Sequence, residues 1–515
     1  MNLRVIVHLI ALLMLFLSIG MGISAVVAGV GPDPAWVRNH LALCALATLL
    51  LGSLLFCIAR CYHRKVEFST GVREGFATVA LSWLVGTALG AVPFCWIARM
   101  TIPDALFEAA SGLTTTGASV ISTELILRDG TVLADGIEGL PQGLLFWRSL
   151  LNWFGGVGIV FFVLLILPLL HVGKGSLLYN AEVPGLKTDS DQLTPRLFQS
   201  VLWVLGLYAV LTVAAAIGYR ICGMNLFDAA CHAMSTISTG GFSTRNASFA
   251  AFPGAAPQWT AIVFMLLSAC NFTLFLRSIL QRRFCFWEDE EFRFFLGMVV
   301  VATVAVALLL YEGHPEGLNG VPCTVEAYLR LAAFQVASLA STTGFTTADY
   351  DAWGVPVITA ILLLIMFPCG CGGSTAGGMK CSRILVLGKA MLAEVRQCLF
   401  PHTLTDIRLN GARLAPTLVR KTFVFALLYL TLIALVAFAL LCLTGASLGT
   451  CGSAALTCLS NVGPGIGAVG PSCSFGWMGP MAKILLALTM ITGRLELYTM
   501  LVLFLRSILQ RRFCC

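Results

Sequence analysis

The tetrapeptide Ser341-Thr342-Thr343-Gly344 decides the fold that we predict, because three similar turns occur elsewhere in the chain. Aligned on the last residue, they are Thr114-Thr115-Thr116-Gly117, Ile237-Ser238-Thr239-Gly240 and Ser460-Asn461-Val462-Gly463. Each turn ends a short segment that is rich in Ala, Ser, Thr and Gly, and the four glycines recur at similar intervals. Such repetition indicates four copies of one structural unit.

The composition indicates a membrane protein. Hydrophobic residues make up 58% of the 515 positions, charged residues make up 11%, and the mean hydropathy is +0.90. A soluble domain usually carries about 25% charged residues. The net charge of +7 does not indicate a nucleic-acid partner, because the basic residues cluster at the ends of apolar runs, as membrane topology requires.

The 19 cysteines do not indicate a disulfide scaffold, which is typical of short secreted chains. Several lie within apolar runs, where a free thiol behaves as a small hydrophobic side chain. We expect reduced thiols. A bridge among the outward-facing cysteines stays an open alternative; these are Cys222, Cys323, Cys451 and Cys473.

Ten apolar runs are long enough to cross the hydrocarbon core of a membrane, which is about 30 Å thick. They lie near 5–28, 40–59, 76–98, 143–170, 198–218, 259–276, 294–311, 355–369, 422–443 and 482–505. Shorter segments separate several of them, at 104–119, 226–244, 325–347 and 448–465. These segments are too short and too polar to span, so we predict that each forms a re-entrant helix followed by a turn.

The order of these segments predicts an all-α polytopic membrane protein. Two helices come first, and the pattern helix, re-entrant pore helix, helix then occurs four times. We therefore expect pseudo-four-fold symmetry among pore-loop repeats. The predicted parts are two extra N-terminal helices at 1–66 and four pore units at 67–175, 176–285, 286–400 and 401–515.

The distribution of charge sets the predicted orientation. With both termini in the cytoplasm, the inner loops carry most of the 32 Lys and Arg residues, in agreement with the positive-inside rule. The outer loops then carry acids that either concentrate cations near the pore or only solvate the loops, and both interpretations stay open. These acids are Asp129, Asp135, Glu138, Glu312, Glu316, Asp349 and Asp351.

The four turns have the composition of an ion-selectivity filter. A site that strips water from potassium must replace the hydration shell with oxygen atoms, and glycine permits the backbone path that presents successive carbonyls. A packing face of small residues would explain one such segment, but four in equivalent positions favour a filter. The predicted potassium ligands are Thr115, Thr116, Gly117, Ser238, Thr239, Gly240, Thr342, Thr343, Gly344, Asn461, Val462 and Gly463.

The second helix of the third unit is interrupted by Pro368-Cys-Gly-Cys-Gly-Gly-Ser-Thr-Ala-Gly-Gly-Met-Lys380. Glycine costs a helix about 1 kcal/mol relative to alanine, so we expect irregular backbone that lines the cavity below the filter. A static kink is the alternative. The cysteines of this stretch have no His or carboxylate near them in the sequence, so we do not predict a metal site.

Several charged residues lie inside or beside the apolar segments. Arg494 is costly within a membrane and normally faces a wet cavity or a bundle interior; it either opposes cation flow or forms a structural pair with Glu496 or a carbonyl. Four acids near the starts of pore helices are predicted to cap helix N-termini; they are Asp104, Glu108, Asp228 and Glu326.

One segment occurs twice without change, at Leu274–Cys285 and at Leu503–Cys514. Both copies lie at the predicted cytoplasmic end of the second helix of a unit. Their arginines reflect membrane topology alone, or they form a docking face for a cytosolic partner. These arginines are Arg277, Arg282, Arg283, Arg506, Arg511 and Arg512.

Taken together, the motifs resemble the Trk/Ktr/HKT family of potassium transporters, specifically the TrkH type with two extra N-terminal helices. The resemblance covers essentially the whole chain. Its most specific stretches are 107–117, 147–158, 226–228 with 238–243, 341–346, 372–378 and 493–496.

The resemblance implies potassium uptake across the bacterial cytoplasmic (inner) membrane. The aligned glycines would form the filter, and only the fourth turn keeps the second glycine of potassium channels, at Gly465, whereas Ser119, Phe242 and Thr346 replace it elsewhere. A shorter and less strict filter is therefore implied. The implied gate is an intramembrane loop with Arg494 beneath the filter; its residues are Gly370, Gly372, Gly373, Ser374, Thr375, Gly377 and Gly378.

The resemblance also implies a homodimer that binds a cytosolic, TrkA-type nucleotide-binding regulatory ring. Potassium would be the substrate, with no covalent cofactor, and no enzyme activity is predicted. Two alternatives stay open. A symporter driven by sodium or protons would need an acid buried within a span, for which Glu496 is the candidate. A non-transporting scaffold would need haem or quinone ligands, and the seven His residues show no such spacing.

Overall fold

The protein is described from a computed structural model that covers residues 3–61, 72–161, 193–252, 254–313, 324–402 and 406–500. Within these ranges the chain is helical apart from a hairpin of two-residue strands, β1 (Arg408–Leu409) and β2 (Ala412–Arg413). The helices are α1 (Leu3–Val30), α2 (Ala35–Cys61), α3 (Val72–Trp96), α4 (Ile102–Leu113), α5 (Gln142–Phe161), α6 (Leu193–Ile221), α7 (Leu226–Ile237), α8 (Ala255–Ala269), α9 (Phe272–Gln281), α10 (Glu290–Gly313), α11 (Val325–Ala340), α12 (Pro356–Ile365), α13 (Cys381–Leu399), α14 (Pro416–Thr444), α15 (Leu448–Ser460) and α16 (Pro480–Arg494).

The long apolar helices confirm the prediction of an all-α protein with many membrane spans. Among the described residues, six helices are long and apolar enough to cross a membrane, namely α1, α2, α3, α6, α10 and α14. Helices α8 and α9 form a further candidate span that bends by 88°. The other predicted spans, at 143–170, 355–369 and 482–505, overlap with α5, α12 and α16, whereas α13 lies outside the predicted spans. Helices α4, α7, α11 and α15 occupy the predicted re-entrant segments.

The pore units repeat one packing arrangement. The first helix of each unit packs along the pore helix that follows it, in the pairs α3–α4, α6–α7, α10–α11 and α14–α15. The second helix packs on the pore helix of the next unit, as α5 does on α7, α8 on α11 and α16 on α4. Because α16 belongs to the fourth unit and α4 to the first, this arrangement closes into a circle. The third unit departs from it, since its second helix is interrupted between Ile365 and Cys381.

The caps of the pore helices differ from the prediction. Asn225, not Asp228, caps α7, because its side chain accepts from Asp228 N at 2.6 Å. Thr324 caps α11 in the same way, ahead of Glu326. Asp104 lies in the first turn of α4 but makes no capping bond there. The prediction is therefore wrong about the capping bonds, although these three acids do lie in first turns, where the helix dipole favours negative charge. Glu108 is buried further along α4.

The two N-terminal helices attach to the first pore unit. Helix α1 packs along α2 and also contacts α3 and α5. Asp33, between α1 and α2, accepts hydrogen bonds from Gln142 N at 2.8 Å and from Gly143 N at 2.7 Å. These N–H groups belong to the first turn of α5 and have no partner within their own helix. Asp33 therefore caps α5 from a different part of the chain.

We expect Asp33→Ala to lower stability by about 1–2 kcal/mol, because both N–H groups lose their acceptor. The melting temperature of the purified protein in detergent measures this effect. Glu124→Ala, which removes an exposed carboxylate, is the control and should change little. Equal melting temperatures for the two variants would contradict the capping role of Asp33.

Candidate functional site

Each pore helix ends in the same backbone turn. The turn contains one residue in the left-handed region, with φ of 53° at Thr115, 55° at Thr239, 60° at Thr342 and 56° at Asn461. The next amide donates to a carbonyl five residues earlier, at 2.8–2.9 Å in all four units. This conformation is strained for a β-branched residue, and such strain clusters at functional sites. Three threonines at equivalent positions hold it here.

A glycine with positive φ follows two residues later in every turn, at 79° for Gly117, 70° for Gly241, 79° for Gly344 and 102° for Gly463. The backbone thus corrects the sequence alignment of the second turn by one residue. Gly241 occupies the glycine position, and Gly240 corresponds to the residue before it. The sequence could not decide this, because the second turn contains two consecutive glycines. The position two residues beyond is then Ser243 and not Phe242.

The four turns meet in a closed ring. The glycine of each turn faces the carbonyl oxygen of the residue that precedes the glycine in the next turn. A β-carbon added to Gly117 would lie 2.6 Å from that oxygen, and one on Gly463 would also lie 2.6 Å away. The facing pairs are Gly117 with Gly240 O, Gly241 with Thr343 O, Gly344 with Val462 O, and Gly463 with Thr116 O. No side chain fits at these glycines, so we call this arrangement the glycine–carbonyl ring.

The predicted ligand residues all lie in this ring or immediately beside it. Ten of the twelve are buried, and Gly117 and Gly344 are half-buried. Two side-chain oxygens, Thr115 Oγ1 and Asn461 Oδ1, are buried without a hydrogen-bond partner within the described residues. Both belong to the left-handed position of their turns. The ring therefore concentrates backbone and side-chain oxygens in one place.

Polar side chains of the pore helices lie behind the ring and hold the segment that follows the glycine in the first three turns. Nine residues before Gly117, Gly241 and Gly344, the pore helices carry Glu108, His232 and Gln335. Glu108 accepts from Ser119 Oγ at 3.1 Å, and His232 Nε2 lies 3.0 Å from Ser243 Oγ. Gln335 donates to Ala348 O at 3.1 Å. The fourth unit has Ala454 at this position, and its segment is held instead by Tyr350, which donates to Gly465 O at 2.6 Å, and by Ser453, which accepts from Ile466 N at 3.1 Å.

Arg148 connects the first two turns. Its guanidinium donates to Glu108 at 2.5 Å and to Ser243 O at 2.9 Å, and it lies 3.6 Å from the ring centre of Phe242. Arg148 and Glu108 are both buried. Arg148 lies within the predicted span at 143–170. Its partners lie in two different pore units, so no local sequence pattern identifies them.

The interrupted segment of the third unit, residues 366–380, lies against one end of the ring. Gly377 N donates to Thr342 Oγ1 at 2.8 Å, and Thr375 Oγ1 donates to Ile237 O at 3.0 Å. Gly373 and Gly378 have positive φ, which explains why glycine is needed within this segment. Of the predicted gate residues, Gly373 and Gly378 are half-buried and the others are buried. We call this segment the third-unit loop.

Arg494 holds the third-unit loop from the other side. It donates to Thr375 O at 2.8 Å and to Gly155 O at 3.2 Å, and its Nε has no hydrogen-bond partner in the described part of the chain. Glu496 pairs with Arg383 instead. Of the two structural alternatives for Arg494, the structure contains the carbonyl partners and not the pair with Glu496.

The outer acids are not equally available to attract cations. Asp129 pairs with Arg99 at 2.9 Å, and hydrogen bonds from Thr131 and Arg99 lower the pKa of the Asp129 carboxyl to about 2. Burial raises the pKa of the Asp351 carboxyl, which accepts from Gly467 N at 2.7 Å. Asp135 and Glu138 are exposed, and Glu316 lies outside the described residues. Each of these acids therefore has its own local environment. Both interpretations, that they concentrate cations near the pore or that they only solvate the loops, stay open.

The structure describes only some of the cysteines and one copy of the repeated segment that the sequence analysis singled out. Cys222, Cys451 and Cys473 are free thiols, and Cys323 lies outside the described residues. No group of three metal-ligating side chains occurs in the described ranges. The first copy of the repeated segment starts within α9 and ends beyond it, whereas the second copy at Leu503–Cys514 is not described.

This fold and this ring define a class, namely multi-span helical membrane proteins whose re-entrant turns meet in one closed ring. The family described as "TrkH: Cation transport protein" matches residues 47–513. This chain belongs to the TrkH family, whose members are transporters and not enzymes. The predicted resemblance is therefore confirmed.

Individual relatives agree with this assignment. The Trk system potassium uptake protein TrkH of Escherichia coli K12 is 35% identical over 98% of this chain and 99% of its own length. The corresponding protein of Vibrio parahaemolyticus is 36% identical over 98% of each. The crystal structure of the potassium transporter TrkH from Vibrio parahaemolyticus superimposes with a TM-score of 0.82 at 31% identity, and it covers 98% of both chains.

We expect Arg148→Met to destabilise the protein by about 3–5 kcal/mol, because the buried Glu108 carboxylate loses its cationic partner. The double variant Arg148→Met with Glu108→Gln should regain part of this stability, since it removes the unpaired charge. Unfolding of both variants in detergent measures the difference. If the double variant is no more stable than Arg148→Met alone, the two residues do not act as a pair.

Proposed function

We propose that this chain takes up potassium through the glycine–carbonyl ring, which acts as the selectivity filter. The observation that carries the proposal is the closed contact of four equivalent turns, each presenting a backbone carbonyl beside a glycine of its neighbour. Oxygen rings of this kind replace the hydration shell of a monovalent cation. The names of the relatives, which are potassium uptake proteins, support the same substrate.

The pore helices favour a cation at the inner end of the ring. Their C-terminal ends converge on the turns, and the C-terminal end of a helix carries partial negative charge. Ile237 O and Ser460 O, at the ends of α7 and α15, both contact the third-unit loop. The ring and the dipoles together supply the negative potential without any charged side chain in the turns.

The third-unit loop is proposed as the gate. It contacts turns or pore helices of the second, third and fourth units, and Arg494 connects it to Gly155 of the first. A loop in this position obstructs the path at one end of the ring, and the guanidinium of Arg494 repels cations there. Its many glycines permit a change of backbone conformation at low steric cost.

Membership of the family also supports a proposal for the membrane location and the partners of the protein. The chain is proposed to lie in the bacterial cytoplasmic membrane with both termini in the cytoplasm, as a homodimer that binds a TrkA-type regulatory ring. Potassium is the transported substrate and no covalent cofactor is required. Coupled symport stays the alternative, but Glu496 is partly exposed and paired with Arg383, so this acid provides no specific support for coupling.

The corrected alignment gives a sharp test of the filter. We expect Gly241→Ala to abolish selective potassium uptake, because its β-carbon would overlap the backbone oxygen of Thr343 at a positive φ. Gly240→Ala should have a smaller effect, since its β-carbon meets the Asn152 side chain at 2.5 Å, which can move. Growth of a potassium-uptake-deficient strain at low potassium measures both, with exposed Gly206→Ala as the control. Full growth of the Gly241 variant would reject the filter assignment.

The gate has a separate test. We expect Arg494→Gln to raise rubidium influx into proteoliposomes about tenfold in the absence of any regulatory protein, since the loop loses an anchor and the path loses a positive charge. Arg396→Gln removes an exposed arginine of α13 and serves as the control. A flux at or below that of the unmodified protein would contradict the gating role of Arg494.

A further inference from the structure

The third-unit loop has a narrow base that is held by one buried carboxylate. Glu291, in the first turn of α10, is 3% exposed. One of its oxygens, Oε1, accepts from Gly372 N at 2.7 Å and from Ser382 N at 2.8 Å. These two residues lie on opposite sides of the base of the loop. A single atom therefore joins Gly372, near the middle of the segment that separates α12 from α13, to the first turn of α13.

Two further contacts close the same base. Cys381 N donates to Gly370 O at 3.1 Å, and Cys381 Sγ contacts Cys369 O at 2.8 Å. Residues 372–380 thus form a compact loop whose ends are fastened together. The tip, at Thr375 and Gly377, is the part that contacts the ring. The base and the tip are separate regions, so the base can act on the tip only through the loop backbone.

Glu291 also caps α13. Ser382 is the second residue of α13, and its N–H has no partner within the helix. Lys380, which precedes α13, makes no side-chain capping bond. Glu291 supplies that acceptor from α10, and its negative charge lies at the end of the helix where the dipole favours it. The N-terminal end of α13 and the base of the loop therefore share one acceptor.

Glu291 forms no ion pair among the described residues, whereas two nearby acids do. Glu290 pairs with Lys389 of α13, and Glu288 pairs with Arg277 at 3.2 Å. A buried carboxylate is costly unless hydrogen bonds satisfy it. The charge of Glu291 is therefore stabilised by the backbone N–H groups that it holds, and it loses this stabilisation whenever the base of the loop separates from α13.

We propose that Glu291 is the positioning residue that latches the gate shut by coupling the start of α13 to the third-unit loop. This proposal rests on the gating role proposed above. A displacement of α13 pulls Ser382 from the carboxylate, weakens the bond to Gly372 as well, and releases the tip from the ring. In the sequence, Glu291 ends a run of four consecutive acids that precedes an apolar span, and nothing there indicates this role.

Rubidium influx into proteoliposomes without a regulatory protein tests the latch. We expect influx to rise in the order unmodified protein, Glu291→Gln, Glu291→Leu, with roughly a tenfold increase for the leucine variant, because glutamine keeps an acceptor oxygen and leucine has none. Glu288→Gln, which neutralises a half-exposed acid three residues away, is the matched control and should leave influx unchanged.

The accessibility of a buried thiol distinguishes a latch from a residue that only stabilises the fold. Cys371, at the base of the loop, is 1% exposed. We expect a methanethiosulfonate reagent to modify Cys371 several-fold faster in Glu291→Gln than in the unmodified protein, with equal melting temperatures. Peptide mass spectrometry identifies the modified thiol. Glu291→Gln is the decisive variant if Glu291→Leu fails to fold.

The outcomes separate the latch from the gate. Raised influx in Arg494→Gln but not in Glu291→Gln, with slow modification of Cys371, would show that the loop gates and that Glu291 does not latch it. Unchanged influx in both variants would overturn the gate itself. Lower influx in Glu291→Gln with unchanged modification of Cys371 would indicate that the carboxylate attracts cations, and this result also overturns the latch.

Discussion

The structure depends on one steric constraint: four glycines that face four backbone carbonyls at contact distance. A β-carbon at any of these glycines would come too close to a backbone oxygen of the neighbouring turn, and backbone cannot move aside as a side chain can. Each glycine also has a positive φ. The pore helices, the segments that follow the four glycines and the third-unit loop are all arranged around this closed set of contacts.

The elements that support the ring are unequal, although the ring itself is nearly symmetric. The first unit uses a buried ion pair behind its turn, the second a histidine and the third a glutamine, whereas the fourth has alanine. The same backbone turn therefore tolerates different side chains behind it, provided that the segment after each glycine is held in place. Arg148 adds a connection between two units that no internal repeat of the sequence would suggest.

The sequence predicts the spans and the re-entrant segments well, because apolar length and glycine-containing turns are local signals. It fails at the second turn, where Gly240 and Gly241 are chemically identical candidates and only the neighbouring backbone distinguishes them. It also misses the partners of Arg148 and the contacts of Glu291. These residues act across separations of 40 to 95 positions in the chain, and no local pattern encodes such contacts.

The second helix of the third unit can be interrupted on its own because the four units are not identical in sequence. In an assembly of four identical subunits, a sequence that breaks one helix would break it in all four quadrants. Because the four units here belong to one polypeptide, the long interruption between Ile365 and Cys381 is confined to a single quadrant. The second helix of the second unit also bends, between α8 and α9, but α8 keeps its packing on the next pore helix. Covalent fusion of the repeats thus lets one molecule combine regular second helices with one that is replaced over much of its length by irregular backbone.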